Sequence, residues 1–219
     1  MKMNLTTSAL LRRCRALATS TWSDALDQLG IAGVIQGLAL QSGSGCVAGV
    51  ALTVQETVGP LQAFPREAFA VGSFLDTLSE GNILVIEMGG AEVSTFGGLA
   101  AQATRNQGAA GVVINGGCRD LAAIRETGLW VTSKWITPIS GQRRVNVTGV
   151  NIPITVCGVR VDQGDFIIGD ETGVVCVRAE RLPDALTLAE ELHARDKQFA
   201  DDLSAGHTFG PTSERLKHT

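Results

Sequence analysis

Two adjacent charged residues, Arg119 and Asp120, follow the apolar run "AGVVI" in a chain that has few charges. The planar guanidinium of an arginine suits a carboxylate or an enolate oxygen. An aspartate is a hard oxygen ligand that suits Mg²⁺ or Mn²⁺. The pair is therefore a candidate anion and metal site. The alternative is an ion pair that caps the next helix, with Asp120 near the positive end of that helix.

A second candidate is the glycine-rich stretch Phe96-Gly97-Gly98-Leu99, which leads into the helical sequence "LAAQATRNQG". Free N–H groups at a helix start, unobstructed by Cβ atoms, bind carboxylates or phosphates. The stretch is neither a Walker A loop nor a GxGxxG motif, because the spacing differs and no Lys-Ser/Thr follows. A plain glycine turn is the alternative, and the stretch by itself does not exclude it.

The elements around these residues predict that the two candidates face one another. The segments "NILVIEMGG" and "AGVVING" are apolar throughout, which is typical of strands covered on both faces. A helix lies between them, so they form a β-loop-α-β unit with parallel strands and a right-handed crossover. Loops after the strands, which we place at Met88 and Ile114, then lie at one edge of the sheet.

The remaining sequence predicts one α/β domain with a mixed sheet, helices on one layer and a C-terminal strand-rich layer. Residues 5–30 are predicted to be helical, with Thr21 capping and Asp24 completing a capping box. "CVAGVALTVQETVG" is predicted to be a strand, and residues 65–81 a short helix. An amphipathic helix covers 182–206, and residues 207–219 form a polar tail.

Composition excludes several classes of protein. The 219 residues carry a formal net charge of −4 without a Lys/Arg block, so no nucleic-acid partner is expected. No apolar run approaches the ~18 residues that span a bilayer, and residues 1–26 lack the apolar core of a secretory signal. Five widely spaced cysteines indicate free thiols and a cytoplasmic location. With 44% apolar residues, the chain suits an oligomer better than a highly solvated monomer.

Gly98, twenty residues, and then Arg119-Asp120 resemble the glycine-x20-Arg-Asp signature of the RraA-like family. That family includes the regulator of ribonuclease activity A and the class II 4-hydroxy-4-methyl-2-oxoglutarate aldolases. The resemblance extends to "TSTWSDALDQLG", "GNILVIEMGG" and "VDQGDFIIGDETGVVCV", so it covers roughly residues 20–205 of a single domain.

The resemblance implies a swivelling β/β/α-type fold, assembled as homotrimers or homohexamers with sites at subunit interfaces. It also implies that Asp120 holds Mg²⁺ or Mn²⁺ and that Arg119 binds the pyruvate moiety and stabilises its enolate. Backbone amides around Gly97, Gly98 and Leu99 are expected to bind the substrate carboxylate.

The family further implies an acidic residue from the C-terminal helix of a neighbouring subunit, for which Asp196 is the first match and Glu191 the second. Three positions depart from the family pattern. Gly98 stands where many of the aldolases carry an acid, Ala123 replaces a frequent acidic residue, and Asn115 replaces an aspartate. The chain therefore has fewer acidic residues around Arg119 and Asp120 than the family pattern has.

Two functions of different classes follow. The first is a divalent-metal-dependent lyase that cleaves or decarboxylates a 2-keto (hydroxy) dicarboxylic acid and yields pyruvate through a metal-stabilised enolate. Trp130, Trp135 and the loop at Arg143-Arg144 are candidates for shaping its substrate pocket. The second is a non-catalytic regulator of RNase E type that acts by binding a protein partner, which the glycine at position 98 favours.

Overall fold

The computed structural model describes residues 7–216. The start of the predicted N-terminal helix at residues 5–6 and the end of the polar tail at 217–219 lie outside that range. The helices are α1 (Thr7–Arg15), α2 (Thr19–Gln28), α3 (Gly72–Leu75), α4 (Gly98–Asn106), α5 (Leu121–Glu126), α6 (Leu182–Ser204) and α7 (Phe209–Leu216).

Most of the strands belong to one mixed sheet. The strands of the whole described chain are β1 (Val34–Ile35), β2 (Ala39–Ser42), β3 (Val47–Val58), β4 (Asn82–Glu87), β5 (Ser94–Phe96), β6 (Gly111–Cys118), β7 (Trp130–Ile136), β8 (Val145–Val150), β9 (Ile154–Val156), β10 (Val159–Val161), β11 (Phe166–Gly169) and β12 (Val174–Val177). The main sheet has the order β1-β12-β11-β3-β4-β6-β7-β2, with β5 paired to β6 and β8 paired to β3.

The centre of this sheet is parallel, as the sequence predicts. Strand β4 pairs in parallel with β3 on one side and with β6 on the other, from Ile83↔Gly111 to Glu87↔Asn115. Strands β4 and β6 are buried almost throughout, because helices cover one face and other strands cover the second. The carboxyl ends of β4 and β6 therefore meet at one edge of the sheet.

Helices α1 to α6 pack on one face of the sheet, and α7 packs on α6. Helices α3, α4 and α5 cover Leu52 and Val54 of β3, whereas α1, α2 and α6 cover Ala48 of the same strand. These three positions of β3 alternate with Ala51 and Thr53, which point to the other face. The predicted arrangement of helices on a single layer of a mixed sheet is confirmed.

The second face of the sheet encloses its own apolar cluster, because the sheet curls. A Cβ atom on Gly169 of β11 would lie 2.4 Å from the Trp130 ring of β7, although three strands separate β11 from β7 in the sheet order. The hairpin β9–β10 contributes Ile154 and Val156 to the same cluster. Strands β8, β11 and β12 join the main sheet, so this hairpin is the part of the C-terminal half that forms a separate sheet.

Several local predictions are wrong. Strand β6 continues to Cys118 and does not end at Ile114, because its last residues pair with β5 and β7. Strand β5 itself lies inside the segment that the sequence suggests is a glycine loop. Residues 65–81 form a 3₁₀ turn (Arg66–Ala68) and the single-turn helix α3, not one helix.

The predicted cap of α2 is also wrong, because α2 begins at Thr19 and Thr21 is a buried residue within it. The carboxylate of Asp170, in the turn between β11 and β12, caps this helix instead. Its oxygens accept hydrogen bonds from the N–H (2.8 Å) and the hydroxyl (2.6 Å) of Thr19. Burial opposes ionisation of Asp170, but these bonds and two from N–H groups of its own turn lower its pKa below the ordinary value.

Helices α6 and α7 form the C-terminal part of the described residues. An apolar stripe on α6, formed by Leu182, Ala185, Leu186 and Ala189, packs against the sheet. Helix α7 occupies part of the predicted polar tail, and its Phe209 ring lies 4.9 Å from that of Phe199 on α6.

Two predictions from composition concern the whole fold. The five cysteines are free thiols, three of them buried, as expected. Among residues 7–216, none of the helices combines the length and the apolar content that crossing a bilayer requires.

We expect Asp170→Asn to lower the free energy of unfolding by about 2 kcal/mol at pH 7, since hydrogen bonds to a charged acceptor contribute about that much. The pKa of Asp170 is lowered in the folded state, so its contribution is present above the ordinary pKa of 3.8 and is lost as pH falls through the folded value. Urea unfolding from pH 7 to pH 3 measures the difference, which should shrink in acid. The exposed Asp24→Asn on α2 is the control, and an equal loss there would contradict the assignment.

Candidate functional site

Arg119 and Asp120 lie where β6 ends and the chain turns into α5. The turn is anchored by the backbone, because the N–H of Arg119 donates to the carbonyl of Phe96 (2.9 Å) and the N–H of Thr137 donates to that of Cys118 (3.0 Å). Asp120 has φ +55° and ψ +42°, the left-handed conformation. Few residue types other than glycine, asparagine and aspartate adopt this backbone conformation readily. The choice of residue at position 120 is therefore restricted.

The carboxylate of Asp120 does not cap α5. Asp120 occupies the position before the helix, yet it makes no side-chain hydrogen bond to the first turn. Its Oδ2 atom instead accepts a 3.4 Å hydrogen bond from the N–H of Gly98 and lies 3.6 Å from Nε of Arg119. The two residues thus form an exposed ion pair, as the alternative interpretation predicts, but the carboxylate points towards the glycine-rich stretch and does not cap α5.

The glycine-rich stretch forms the opposite side of the same site. Strand β5 pairs with the end of β6, Gly97 precedes α4, and Gly98 is its first residue. The first N–H groups of a helix have no partner within the helix, so the start of α4 presents donors towards Asp120 and Arg119.

The close contact between the two segments leaves little space beside Gly97 and Gly98. A Cβ atom on Gly97 would lie 2.7 Å from Oδ2 of Asp120, and one on Gly98 would lie 2.7 Å from Cβ of Ala123. The departures from the family pattern at Gly98 and Ala123 are thus one structural feature, because these residues face each other where α4 approaches α5.

A cavity of about 200 Å³ opens between the two segments. Apolar side chains and short polar ones share its lining with four of the predicted site residues. The lining comprises Phe69, Val71, Ser94, Thr95, Phe96, Gly97, Leu99, Ala100, Arg119, Asp120, Ser140 and Gly141. A more open hollow of about 370 Å³ lies on the other side of Leu99 and contains Gly98, Gln102, Asp120 and Glu126. The predicted glycine, arginine and aspartate residues are thus brought together.

The predicted acids of the C-terminal helix are not part of this group within one chain. Glu191 is exposed on α6, Asp196 is partly buried there, and neither lines the cavity or the hollow. Their predicted role requires a second chain.

Other residues considered from the sequence also lie apart from the cavity. Trp130 is buried in the core on the opposite face of the sheet. Trp135 donates its indole N–H to the carbonyl of Gly90 (2.8 Å). Asn115 donates to both carboxylate oxygens of Glu87 (3.0 and 2.8 Å) and so belongs to that opposite face as well. Arg144 donates to the carbonyl of Ser140 (3.1 Å) and thereby supports the edge of the cavity.

The donor set fits a divalent cation that keeps most of its water. No group of three or more His, Cys, Asp or Glu residues capable of holding a metal occurs among the residues that the structure describes. Asp120 offers one exposed carboxylate, with Glu126 bordering the adjoining hollow. Mg²⁺ commonly binds through one or two carboxylates together with water and substrate oxygens. Asp120 is compatible with that kind of site and not with an all-protein cage.

Glu56 is a buried acidic residue next to the cavity that is not among the site residues predicted from the sequence. It lies on β3 with 2% of its surface exposed, and the hydroxyl of Thr95 donates to its Oε1 atom (2.8 Å). Its Oε2 atom is buried without a hydrogen-bond partner. Burial raises the pKa of Glu56 to about 7, although the bond from Thr95 lowers it. The clue in the sequence is that Glu56 is the one charged residue of a strand rich in valine and threonine.

Known proteins resemble the chain in sequence and in fold. A model of the RraA-like family, described as Aldolase/RraA, matches residues 19–176. A protein of Methanocaldococcus jannaschii named "Uncharacterized protein MJ0644" is 31% identical over 62% of the chain and 67% of its own length. A protein of Halalkalibacterium halodurans named "Putative 4-hydroxy-4-methyl-2-oxoglutarate aldolase" is 27% identical over 87% of the chain and 89% of its own length.

Relatives differ in length and in what their names describe. The chain spans only 31% of Protein DlpA of Legionella pneumophila, at 26% identity over 88% of the chain. Among solved structures, Streptomyces coelicolor RraAS2, described as an unusual member of the RNase ES inhibitor RraA protein family, has a TM-score of 0.78. It is 24% identical and covers 90% of this chain and 97% of its own. That likeness shows the fold.

We expect Gly98→Ala to lower the free energy of unfolding by about 1–2 kcal/mol, because the new methyl group would overlap Ala123 unless α4 and α5 separate. The double variant Gly98→Ala/Ala123→Gly should recover most of that loss, since it removes the opposing methyl group. Urea unfolding of the two single variants and the double variant gives the coupling energy. Gly210→Ala in α7 is the control, because a Cβ atom there meets nothing within 4 Å. A coupling energy of zero would contradict the proposed contact.

Proposed function

Because the chain belongs to the RraA-like (Aldolase/RraA) family, we propose that it is a divalent-metal-dependent carbon–carbon lyase. Its substrate class is a 2-keto (hydroxy) dicarboxylic acid, which it cleaves in a retro-aldol or decarboxylation reaction that releases pyruvate. The observation that carries the proposal is the convergence of Arg119, Asp120 and the N-terminus of α4 on one cavity. The names of several relatives support the same class of reaction.

In this proposal the substrate carboxylate lies against the N–H groups at the start of α4. The N–H of Gly98 donates to Asp120, so the groups available to the substrate are the next N–H groups of the first turn, at Leu99 and Ala100. The positive end of the helix dipole also attracts an anion. The guanidinium of Arg119 donates to the keto acid from the facing side. The apolar side chains of Phe69, Val71 and Phe96 reduce the access of water to the reacting bond.

When the carbon–carbon bond breaks, its electron pair moves towards the keto oxygen and an enolate of pyruvate forms. In the decarboxylation the other fragment leaves as CO₂. In the retro-aldol reaction the 4-hydroxyl group loses its proton to water and becomes the carbonyl of the second product. Arg119 stabilises the developing negative charge because its donors are already in place and need little reorganisation. A divalent cation held by Asp120 would supply Lewis-acid polarisation of the keto oxygen. The cavity volume of about 200 Å³ suits a small acid better than a nucleotide.

A lactate-dehydrogenase-coupled assay with oxaloacetate or a 4-hydroxy-2-keto acid tests the proposal. We expect pyruvate release with Mg²⁺ or Mn²⁺, loss with EDTA and recovery when metal is added back. Asp120→Ala should reduce turnover to background, and Arg119→Ala should reduce it by about 100-fold or more, the usual loss when an enolate-stabilising donor is removed.

Two exposed residues outside the cavity serve as matched controls for these variants. Arg105 lies at the far end of α4 and Asp24 lies on α2, and each is replaced by alanine. Both should leave turnover within about twofold of the wild type, as is usual for surface changes away from a site. Metal-independent turnover, or full activity of Asp120→Ala, would overturn the metal-dependent mechanism.

One observation favours a second candidate function, a regulator that acts by binding a ribonuclease. Leu99 is 91% exposed at the edge of the cavity, where an apolar side chain is available to a protein partner. One structural relative is described as belonging to an RNase ES inhibitor family. The regulator hypothesis predicts that the purified protein inhibits an RNase E-type enzyme, that Leu99→Glu abolishes the inhibition, and that no keto acid turns over.

We also propose that the chain forms trimers or hexamers in which Asp196, or else Glu191, reaches the cavity of a neighbouring chain. Light scattering should give a mass that is a multiple of three chains, and a monomeric mass would contradict the proposal.

Asp120→Ala and Asp196→Ala should each be inactive alone. Co-expressed chains should regain part of the activity, because some interfaces then combine an intact Asp120 with an intact Asp196. Glu191→Ala should keep its activity if Asp196 is the acid that reaches the neighbouring cavity, and should lose it if Glu191 is that acid.

A further inference from the structure

The buried carboxyl group of Glu56 lies directly behind the cavity. It faces the side of the sheet that α3, α4 and α5 cover, like Leu52 and Val54 on the same strand. Thr95 connects it to the cavity, because Thr95 lines the cavity and its hydroxyl group is hydrogen-bonded to Oε1 of Glu56. The second oxygen of Glu56 is buried and lacks a hydrogen-bond partner among the described residues. Such an atom lowers the stability of the fold, and a role in catalysis is one reason why a protein retains it.

The proposed lyase reaction needs a source of one proton, since the enolate carbon must be protonated to form pyruvate. The residues that line the cavity offer no evident acid. Arg119 is assigned to the substrate and its enolate, and Asp120 is assigned to the cation. Gly98 and Ala123 carry no acid either. The hydroxyl group of Thr95 is one of the few groups in the lining that can exchange a proton.

We propose that Glu56 stores the proton that the substrate carbon takes up after bond cleavage and that Thr95 delivers it. The inference rests on the proposed lyase function. The Thr95 hydroxyl donates to Oε1 when Glu56 is a carboxylate. When Glu56 is protonated, its carboxyl group donates to the Thr95 oxygen and the Thr95 proton turns towards the cavity. The enolate electron pair forms a new C–H bond with that proton as the O–H bond of Thr95 breaks, and the carboxyl proton of Glu56 moves to the Thr95 oxygen. Glu56 is left as a carboxylate, which a solvent proton neutralises through Thr95 after pyruvate leaves. No electron is gained or lost overall.

The ionisation of Glu56 is suited to this task. Burial raises its pKa to about 7, so both the acid and the carboxylate are populated near neutral pH. Burial and the Thr95 hydrogen bond are the only causes of the shift, and no charged neighbour contributes. The charged residues around the cavity and on the adjoining elements are Arg119 and Asp120 in the cavity lining, Arg66 and Glu67 on the 3₁₀ turn, Glu87 on the opposite face of β4, and Arg144 before β8.

Hydrogen–deuterium exchange at the methyl group of pyruvate tests the proposal without the natural substrate. In D₂O with Mg²⁺ or Mn²⁺, proton NMR follows the loss of methyl protons as the enzyme forms and quenches the enolate. We expect wild-type exchange to rise with pH through about 7, because the Glu56 carboxylate accepts the proton in this direction. Glu56→Gln and Thr95→Val should reduce the rate by about 100-fold or more.

Three comparisons separate proton transfer from a structural role. Thr95→Ser keeps the hydroxyl group and should exchange nearly as fast as the wild type, in contrast to Thr95→Val. The pyruvate concentration for half-maximal exchange should not change in Glu56→Gln, because Glu56 does not line the cavity. Glu67→Gln, on the exposed 3₁₀ turn, should retain both the rate and the pH dependence.

Thermal unfolding checks the buried carboxyl group independently of activity. The pKa of Glu56 is raised on folding, so its stabilising contribution is complete below about 4.5 and is lost as pH rises through about 7. The unfolding temperature of Glu56→Gln should therefore rise relative to that of the wild type between pH 5 and pH 8. An unchanged difference over this range would overturn the assignment of Glu56 as the titrating group.

The outcomes distinguish the inference from the function on which it rests. A wild-type protein that neither exchanges pyruvate protons nor releases pyruvate from any keto acid would overturn the proposed function. A wild-type protein that does both, with Glu56→Gln and Thr95→Val exchanging at the wild-type rate, would overturn the inference alone. Loss of exchange in these two variants and its retention in Thr95→Ser supports the inference.

Discussion

The close approach of α4 to the end of β6 determines the geometry of the candidate site. Two backbone positions without Cβ atoms, Gly97 and Gly98, allow the start of the helix to lie against Asp120 and Ala123. A Cβ atom at position 98 would overlap Cβ of Ala123, and one at position 97 would displace the carboxylate of Asp120, since each of these atoms lies 2.7 Å from the ideal Cβ position. The helix start, the guanidinium and the carboxylate share one cavity because this contact holds the two segments together, and a shift of either segment would change all three relationships at once.

The parallel centre of the sheet places that contact at the carboxyl edge of β4 and β6, and strand alternation decides which polar groups belong to it. Glu56 on β3 faces the helical side, where Thr95 links it to the cavity. Its neighbour Gln55 faces the other side and donates to the carbonyl of Glu87. Glu87 is hydrogen-bonded there by Asn115. Two buried carboxyl groups thus belong to separate polar groups on opposite faces, because consecutive residues of a strand point in opposite directions.

Much of the architecture could be predicted from local patterns. The apolar runs that became β4 and β6, and the helix between them, predict a parallel unit with both loops at one edge. Predictions at element ends were less successful. Strand β6 extends to Cys118 because β5 and β7 supply partners for its last residues, and α2 is capped by Asp170, which is 151 positions away along the chain. Such partners come from distant segments, and local sequence carries no information about them.

The sequence by itself determined the family, the parallel unit and the identity of the arginine, aspartate and glycines that line the cavity, because these follow from residue types at fixed spacing. Only the tertiary structure decided that Asp120 turns towards Gly98 instead of capping α5, since a left-handed backbone at that residue directs its side chain. Only the tertiary structure brought Glu56 behind the cavity and moved Asn115 to the opposite face. These outcomes depend on strand pairing and on the face to which each side chain points, which are properties of the assembled sheet.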